Sequence, residues 1–367
     1  MKKIRKKLQK IFKIFFQYCF KLIYGKIIYV PDNLISKEIL IKEVKNENIV
    51  NFFKEKYQVF KVINGRIYTD NTENVAVINK NKIIDRISFQ QILGNLVGAN
   101  KNICIERGTP RIKKKFKGKV LSFAQGASGN SNYFHWLFDL LPKIKIYSEI
   151  YDLRDLDYLY TSKLKNWQMQ SLAPLGLNKI DIIDSEKYRH IEADEIFCTE
   201  HPSYFNGYVE HQSKNIPVWI VKWLRETYLN CAKKFPCNDK IFIDRSAAPL
   251  THGQFINDKE ISEFLIKKGF VKYKIEKLNF LEEIYLFKNS NYVVGAHGAG
   301  LANLTFCKQG TKVIEIRAKN HSNSLYSKLS EINNLDYNLI STNIVKKTNQ
   351  TIGDIHLDIN DLEKFFK

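Results

Sequence analysis

Apolar residues recur at Ile4, Leu8, Ile11, Phe12, Phe15, Cys19, Leu22 and Ile23, a spacing that predicts an amphipathic helix near the start of the chain. Lys6, Lys10, Lys13, Gln17 and Lys21 fall on its opposite side. Residues 50–100 read as an irregular, strand-rich lead-in. A strand is predicted at 119–123, then a small polar run over 124–131 and a long helix over 132–149. Further strands are expected at 158–161 and 195–198, with a helix near 168–173 between them. The amphipathic stretch 218–234, which contains Trp219, Trp223, Tyr228 and Cys231, predicts a helix joining two halves of the chain.

The second half alternates more regularly. Strands are predicted at 240–244, 270–275, 292–294 and 313–316, and helices at 258–268, 281–288 and 301–307, with Gly269 where a helix C-cap belongs. Strands alternating with short helices imply a parallel sheet of nucleotide-binding type, whose ligands collect beyond the carboxyl ends of the strands. The glycine-rich run Gly295-Ala-His-Gly-Ala-Gly300 falls at one of those ends.

Composition narrows the class. The chain has 367 residues, 44% hydrophobic and 26% charged, which excludes collagen-like and wholly disordered chains. No run of about 18 uncharged apolar residues is present to cross a bilayer. Six scattered cysteines without a C-x-x-C pair argue against a zinc site and for a reducing compartment. The net charge is +20, and sixteen of those excess charges lie in residues 1–30 and 101–119. The first segment holds nine Lys/Arg and no acid, so it reads as a membrane-surface helix meeting anionic lipid. A solvated basic face, nucleic-acid contact and packing on its own domain are the alternatives. The lysines of 113–119 are expected either to hold a lipid-diphosphate acceptor or membrane surface, or to serve as an exposed basic loop.

Two motifs carry the chemistry. In Gly295-Ala-His-Gly-Ala-Gly-Leu-Ala-Asn303, glycines let the backbone bring bare N–H groups up to a ligand. The helix that follows aims its N-terminal amides and partial positive charge at the same point, which suits a phosphate. His297 adds a donor beside that anion. The bland alternative is a tight packing turn around a buried histidine. In Asn132-Tyr-Phe-His135-Trp-Leu-Phe-Asp139-Leu-Leu-Pro-Lys143, His135 and Asp139 are four apart on one helix face, which gives a positioned general base. On spacing alone, a local polar pair on a core helix is the more common outcome. Asn132 suits a helix cap better than a sugar ligand.

These segments together resemble glycosyltransferase family 61, which includes capsular polysaccharide biosynthesis proteins of bacteria. The matching residues are His135-Trp-Leu-Phe-Asp139-Leu-Leu-Pro142, Phe242-Ile-Asp-Arg245, Gly269-Phe270 and His297-Gly-Ala-Gly-Leu-Ala-Asn303-Leu, in order over roughly 115–320. One departure is Gly253-Gln254-Phe-Ile-Asn257-Asp258, where the family often has a second Arg before an Asn-Glu pair; donor identity or phosphate contact is the property this touches.

The resemblance implies an α/β, GT-B-type enzyme with two Rossmann-like domains whose parallel sheets face across a cleft. It implies an inverting, metal-independent transferase moving a sugar from a nucleotide-diphosphate donor, expected to be a UDP-sugar, to a glycan or lipid-linked acceptor. Donor binding falls to Arg245, His297, Gly298, Ala299, Gly300, Leu301 and Asn303. Catalysis falls to Asp139, preferred as base, and His135, with the two roles exchangeable. No cofactor, bound metal or nucleic acid is expected. Domain boundaries are drawn at 1–30 (surface helix), 31–215 (acceptor side), 216–345 (nucleotide-sugar side) and 346–367 (C-terminal tail or helix), with the protein on the cytoplasmic face of the cell membrane. The D-x-D triplet Asp155-Leu-Asp157 reads as a solvated loop rather than a metal site. A hydrolase lacks its G-x-S-x-G here; the remaining alternative is a non-catalytic basic protein binding membrane or nucleic acid.

Overall fold

The computed structural model describes residues 2–31, 36–51, 53–71, 74–92, 95–124, 132–203, 215–246, 253–321, 323–347 and 353–366. The polar run expected at 124–131 lies outside the described residues from 125 onward. The chain divides into two units, 1–165 with 179–212, and 166–178 with 213–367.

The first unit opens with helix α1 (Lys2–Tyr24), followed by strands β1 (Ile28–Val30), β2 (Ile39–Glu43), β3 (Gln58–Asn71), β4 (Asn74–Asn79), β5 (Lys82–Ile84), β6 (Phe89–Ile92) and β7 (Asn95–Val97). Then come the short helix α2 (Ile103–Arg107) and strand β8 (Lys114–Ser122). A continuous helix follows in three pieces: α3 (Tyr133–His135), a π-helical turn (Trp136–Leu140) and α4 (Leu141–Ser148). Strands β9 (Tyr158–Thr161), β10 (Asp181–Asp184) and β11 (His190–Thr199) complete the unit.

Its eleven-stranded sheet has the backbone order β1-β5-β4-β3-β11-β8-β9-β10. Parallel pairing, expected from the sequence for both halves, is confined here to β11-β8-β9-β10 and to β1-β5; β3 pairs antiparallel with β2, β4 and β11. The cause is connection length, because a parallel pair needs a crossover of a dozen or more residues. β4 and β5 are joined instead by Lys80-Asn81, both at positive φ (44° and 64°), the geometry of a two-residue hairpin turn. The basic stretch 113–119 is largely strand rather than loop. Lys113 and Lys115 pair with Glu192 on β11, and Lys119 pairs with Asp155. The core is built from Phe60, Val62, Ile67, Val77, Val120 and Ile196.

The second unit adds helices α5 (Asn166–Leu172), α6 (Val218–Tyr228), α7 (Asp258–Lys267) and α8 (Phe280–Asn289) to strands β12 (Lys240–Ile243), β13 (Val271–Tyr273), β14 (Tyr292–Ala296), β15 (Lys312–Ala318) and β16 (Asp336–Thr342). Helix α5, drawn into the first domain on sequence, belongs here because its backbone and side chains bond within this unit. Gln170 Oε1 accepts from the Phe280 N–H at 2.8 Å, and Tyr228 Oη donates to the Ser171 carbonyl at 2.8 Å. All five strands are parallel, in the order β13-β12-β14-β15-β16. In chain order that is 2-1-3-4-5, the doubly wound arrangement. Strand β16, which the sequence reading lacks, is an edge strand with Ile340 as its one buried residue, so no continuous apolar run announces it.

The C-terminal segment is not a separate tail. Helix α9 (Leu325–Ile332) lies between β15 and β16; after β16 a hairpin of β17 (Ile344–Lys347) and β18 (Gly353–Ile355) leads to α10 (Ile359–Glu363). Ile355, Leu357 and Leu362 share one core with Phe242, Ile261 and Phe270.

Candidate functional site

In the first unit the site is built on the three-part helix. Asn132 caps it, its side chain accepting from the His135 N–H at 3.3 Å. Pro142 has no N–H to give and would crowd the carbonyl four residues back. The helix widens just before it, with the Leu141 N–H bonding Trp136 O five residues back. Asp139 lies in this widened turn. Trp136, Leu137, Phe138, Leu140 and Leu141 are buried around it, so the segment is apolar on nearly all sides.

His135 and Asp139 meet as their spacing predicts, with Nδ1 2.6 Å from Oδ2. Asp139 is fully buried, whereas the His135 side chain is 24% exposed. Among the described residues the carboxylate is enclosed and the imidazole reaches solvent, whereas the sequence reading prefers Asp139 as base with the two roles exchangeable. A carboxylate on Nδ1 fixes the proton there and leaves Nε2 as the accepting nitrogen. Burial of the ring opposes its cationic form, but the charge and hydrogen bond of Asp139 outweigh it and hold the His135 pKa above its ordinary value.

Two further groups, neither assigned a role on sequence, complete this cluster. Lys143, one turn beyond Asp139, is fully buried and donates to Phe123 O at 3.1 Å; burial foremost pushes its pKa down to about 7, against the pull of Asp139. His201 Nε2 stands 3.8 Å from Asp139 Oδ2, and its Nδ1 accepts from the Ser203 N–H at 3.2 Å. Burial foremost drives the His201 pKa down to about 3, so the ring is neutral in the folded protein. Lys143 carried a signal, a lysine at i+4 from Asp139 on an apolar helix. His201 carried none, being 62 residues away in sequence.

The neutral state of His201 has a stability consequence. An unfolded histidine takes up a proton below about pH 6.5 while the folded one does not, so its contribution is lost as pH falls from there toward 3. The urea midpoint is expected to fall on acidification across that window. His201→Asn is expected to make that fall shallower, by up to about 1.4 kcal/mol per pH unit. Parallel curves for the two proteins would contradict it. His190, also pushed down to about 3, adds the same sign, while His135 contributes stability below its ordinary pKa that is lost as pH rises through its raised one.

In the second unit the site lies at the carboxyl ends of β12 and β14. The chain leaves β12 toward β13 on one side and returns to β14 on the other, so the order reverses between these two strands, where ligands bind in such sheets. Ile243 pairs with Gly295, which sets Arg245 level with His297 two residues on. Arg245 Nη1 donates to the His297 carbonyl. Gly298 leaves room for Arg245: its φ of 168° is ordinary extended backbone, but a Cβ would overlap the guanidinium where it now stands. Gly300 likewise leaves room for Ile275 Cδ1.

The helix expected at 301–307 is a 3-10 helix, Ala299–Phe306, whose first intrahelical bond runs from the Leu301 N–H to Gly298 O at 3.0 Å. The amides of Ala299 and Gly300 therefore precede its hydrogen-bond ladder. Residues 297–300 are partly exposed, so the bend is open to solvent. Leu301 and Asn303 differ from residues 297–300. Both side chains are buried, and Asn303 Nδ2 donates to Glu283 Oε2 at 3.0 Å, tying the helix to α8.

His297 is held much as His135 is. Its Nδ1 lies 2.5 Å from Oε1 of the buried Glu315 on β15, whose Oε2 accepts from Tyr337 Oη at 2.6 Å. Tyr326 Oη donates to Gly298 O at 2.7 Å, and the His321 ring stands 4.3 Å from that of His297. Glu315 was legible in principle, as an acid inside an otherwise apolar strand. Gln254, in the stretch that departs from the family pattern, donates from Nε2 to Arg245 O at 3.5 Å. The two D-x-D aspartates are engaged with Lys119: Asp157 accepts from its backbone N–H at 2.7 Å and Asp155 lies 3.5 Å from its Nζ.

Comparison with known proteins adds identity to this geometry. The family model Glycosyltransferase 61 matches residues 133–314, which takes in both histidines, Asp139 and Arg245 and stops one residue short of Glu315. A stretch of 93 residues is 28% identical to the EGF domain-specific O-linked N-acetylglucosamine transferase of Canis lupus familiaris, covering 24% of this chain and 18% of that protein. Over residues 133–314, the chain belongs to glycosyltransferase family 61.

Proposed function

We propose that this chain transfers a sugar from a nucleotide-diphosphate donor, expected to be a UDP-sugar, to a hydroxyl of a glycan or lipid-linked acceptor in surface or capsular polysaccharide synthesis. The observation that carries this reading is Arg245 standing level with His297 at the switch point of a parallel sheet, with the Ala299 and Gly300 amides at the start of the following helix. That combination supplies a guanidinium, bare amides and a helix N-terminus to one anion, which suits a diphosphate leaving group.

In this mechanism His135 Nε2 takes the proton of the acceptor hydroxyl while Asp139, through Nδ1, orients the ring and stabilises its charge. The acceptor oxygen forms its bond to the anomeric carbon as the bond to the diphosphate breaks on the far side, which inverts the configuration. Arg245 and the helix amides take up the charge on the departing diphosphate, the part a metal ion plays in other transferases. Glu315 and Tyr337 fix His297 beside that anion, and Asn303 and Leu301 are assigned to holding the helix in place. The reaction requires acceptor and donor to be brought together in the GT-B manner.

A thermal-shift and nucleotide-release screen of nucleotide sugars tests this reading, and the relative's name puts N-acetylglucosamine among the sugars to include. The expected result is a melting shift and nucleoside diphosphate release with one donor, unchanged by EDTA. Turnover abolished by chelation would overturn the metal-free mechanism; no shift with any nucleotide sugar or nucleoside diphosphate would overturn the donor site.

A further inference from the structure

Helix α1 has two faces, and the fold uses one of them. Phe16, Phe20 and Tyr24, four residues apart, form a stripe of rings packed 5.5 Å apart in succession, and Phe20 is buried. Tyr24 anchors the stripe on the first unit, accepting from the Lys113 N–H at 3.1 Å and meeting the His190 ring edge-on at 5.3 Å. The opposite stripe is open. Ile4, Leu8, Ile11, Phe12, Phe15 and Leu22 are 66%, 62%, 58%, 65%, 59% and 72% exposed. Among the described residues no helix is long and apolar enough to cross a membrane. On the side away from that stripe, Lys10, Lys13 and Lys21 of α1 and Arg107 of α2 line a groove with one carboxylate, Glu106, and the exposed Ile14 and Tyr18 lie between these lysines and the stripe.

We infer that α1 docks the protein on an anionic phospholipid bilayer, its open stripe lying in the headgroup–acyl boundary and its long lysine side chains reaching round the helix to the lipid phosphates. Charge decides among the occupants. Residues 1–30 hold nine Lys/Arg and no acid, so a second copy laid on this face would bring the same charge against it. Nucleic acid would meet the cations and leave the apolar stripe in water. A bilayer with acidic headgroups answers both features at once. Docking and packing are thus not alternatives for this helix, since each takes its own face. The inference goes beyond sugar transfer and does not depend on it.

Co-sedimentation of the full chain with phosphatidylcholine vesicles, with and without phosphatidylglycerol, tests it. Binding is expected to need the anionic lipid and to weaken with salt. Phe12→Ser with Phe15→Ser is expected to lower partitioning about a hundredfold, and Lys10→Gln with Lys21→Gln about fivefold per charge. These side chains are exposed, so nucleotide release in vesicle-free solution should match the parent, which separates this test from that of the transferase reading. Equal sedimentation with either vesicle, or binding unchanged in the phenylalanine variant, would overturn the inference. So would a wild-type dimer that the phenylalanine variant converts to monomer in sedimentation velocity.

Discussion

Asp139→Asn and His135→Ala are each expected to lower kcat by about 10²–10⁴-fold while leaving donor binding intact. The two should not add. Once the imidazole is gone, the carboxylate that orients it has nothing to act on, so the double variant should be little worse than His135→Ala alone. The pH profile separates the roles. In the parent, Asp139 holds the His135 pKa above its ordinary value, so kcat/KM should rise with pH through a limb above about 6.5. In Asp139→Asn the raising charge is lost and burial remains, which lowers a histidine pKa, so the limb should move to lower pH as the rate falls. A rate loss with an unmoved limb would make Asp139 a packing residue. Full turnover in both single variants would reject the dyad.

Arg245→Ala is expected to weaken nucleoside diphosphate binding by about 10–100-fold, the range for a hydrogen bond to a charged group. Gly298→Ala should reach much the same result by another route. Its new Cβ would occupy the place of the guanidinium, so Arg245 must leave its bond to the His297 carbonyl. Because Gly298 has an ordinary φ, the substitution strains no backbone dihedral, and the melting temperature should change far less than the affinity. Wild-type affinity in both variants would remove Arg245 from the donor site.

The fold of the second unit was legible because its strands are short apolar runs, each followed by a helix, and a parallel sheet buries both faces of such strands. Its fifth strand was not, because Asp336–Thr342 lies on the edge with most side chains in or near water. In the first unit the helix-linked strands could be read, whereas the antiparallel lead-in could not, since its register depends on hairpins such as Lys80-Asn81 that leave no apolar period. The site divides in the same way. His135 and Asp139 sit four apart on one helix, and the glycine turn is contiguous, so local spacing carried both. His201 and Tyr337 join them through the tertiary fold alone, and no periodicity marks a partner so distant in the chain. Spacing shows that His135 and Asp139 meet but not which acts as base; the burial of Asp139 and the exposure of His135 are what favour the imidazole in the proposed mechanism.

The central claim is that Arg245 and the turn at 297–300 hold the donor diphosphate while the His135–Asp139 pair acts on the acceptor. Titration calorimetry with a nucleoside diphosphate tests it most directly, on the parent, Arg245→Ala and Asp139→Asn. The account predicts equal affinity for the parent and Asp139→Asn and a loss for Arg245→Ala. Undiminished affinity in Arg245→Ala, or a loss in Asp139→Asn as large as the one expected at Arg245, would contradict it.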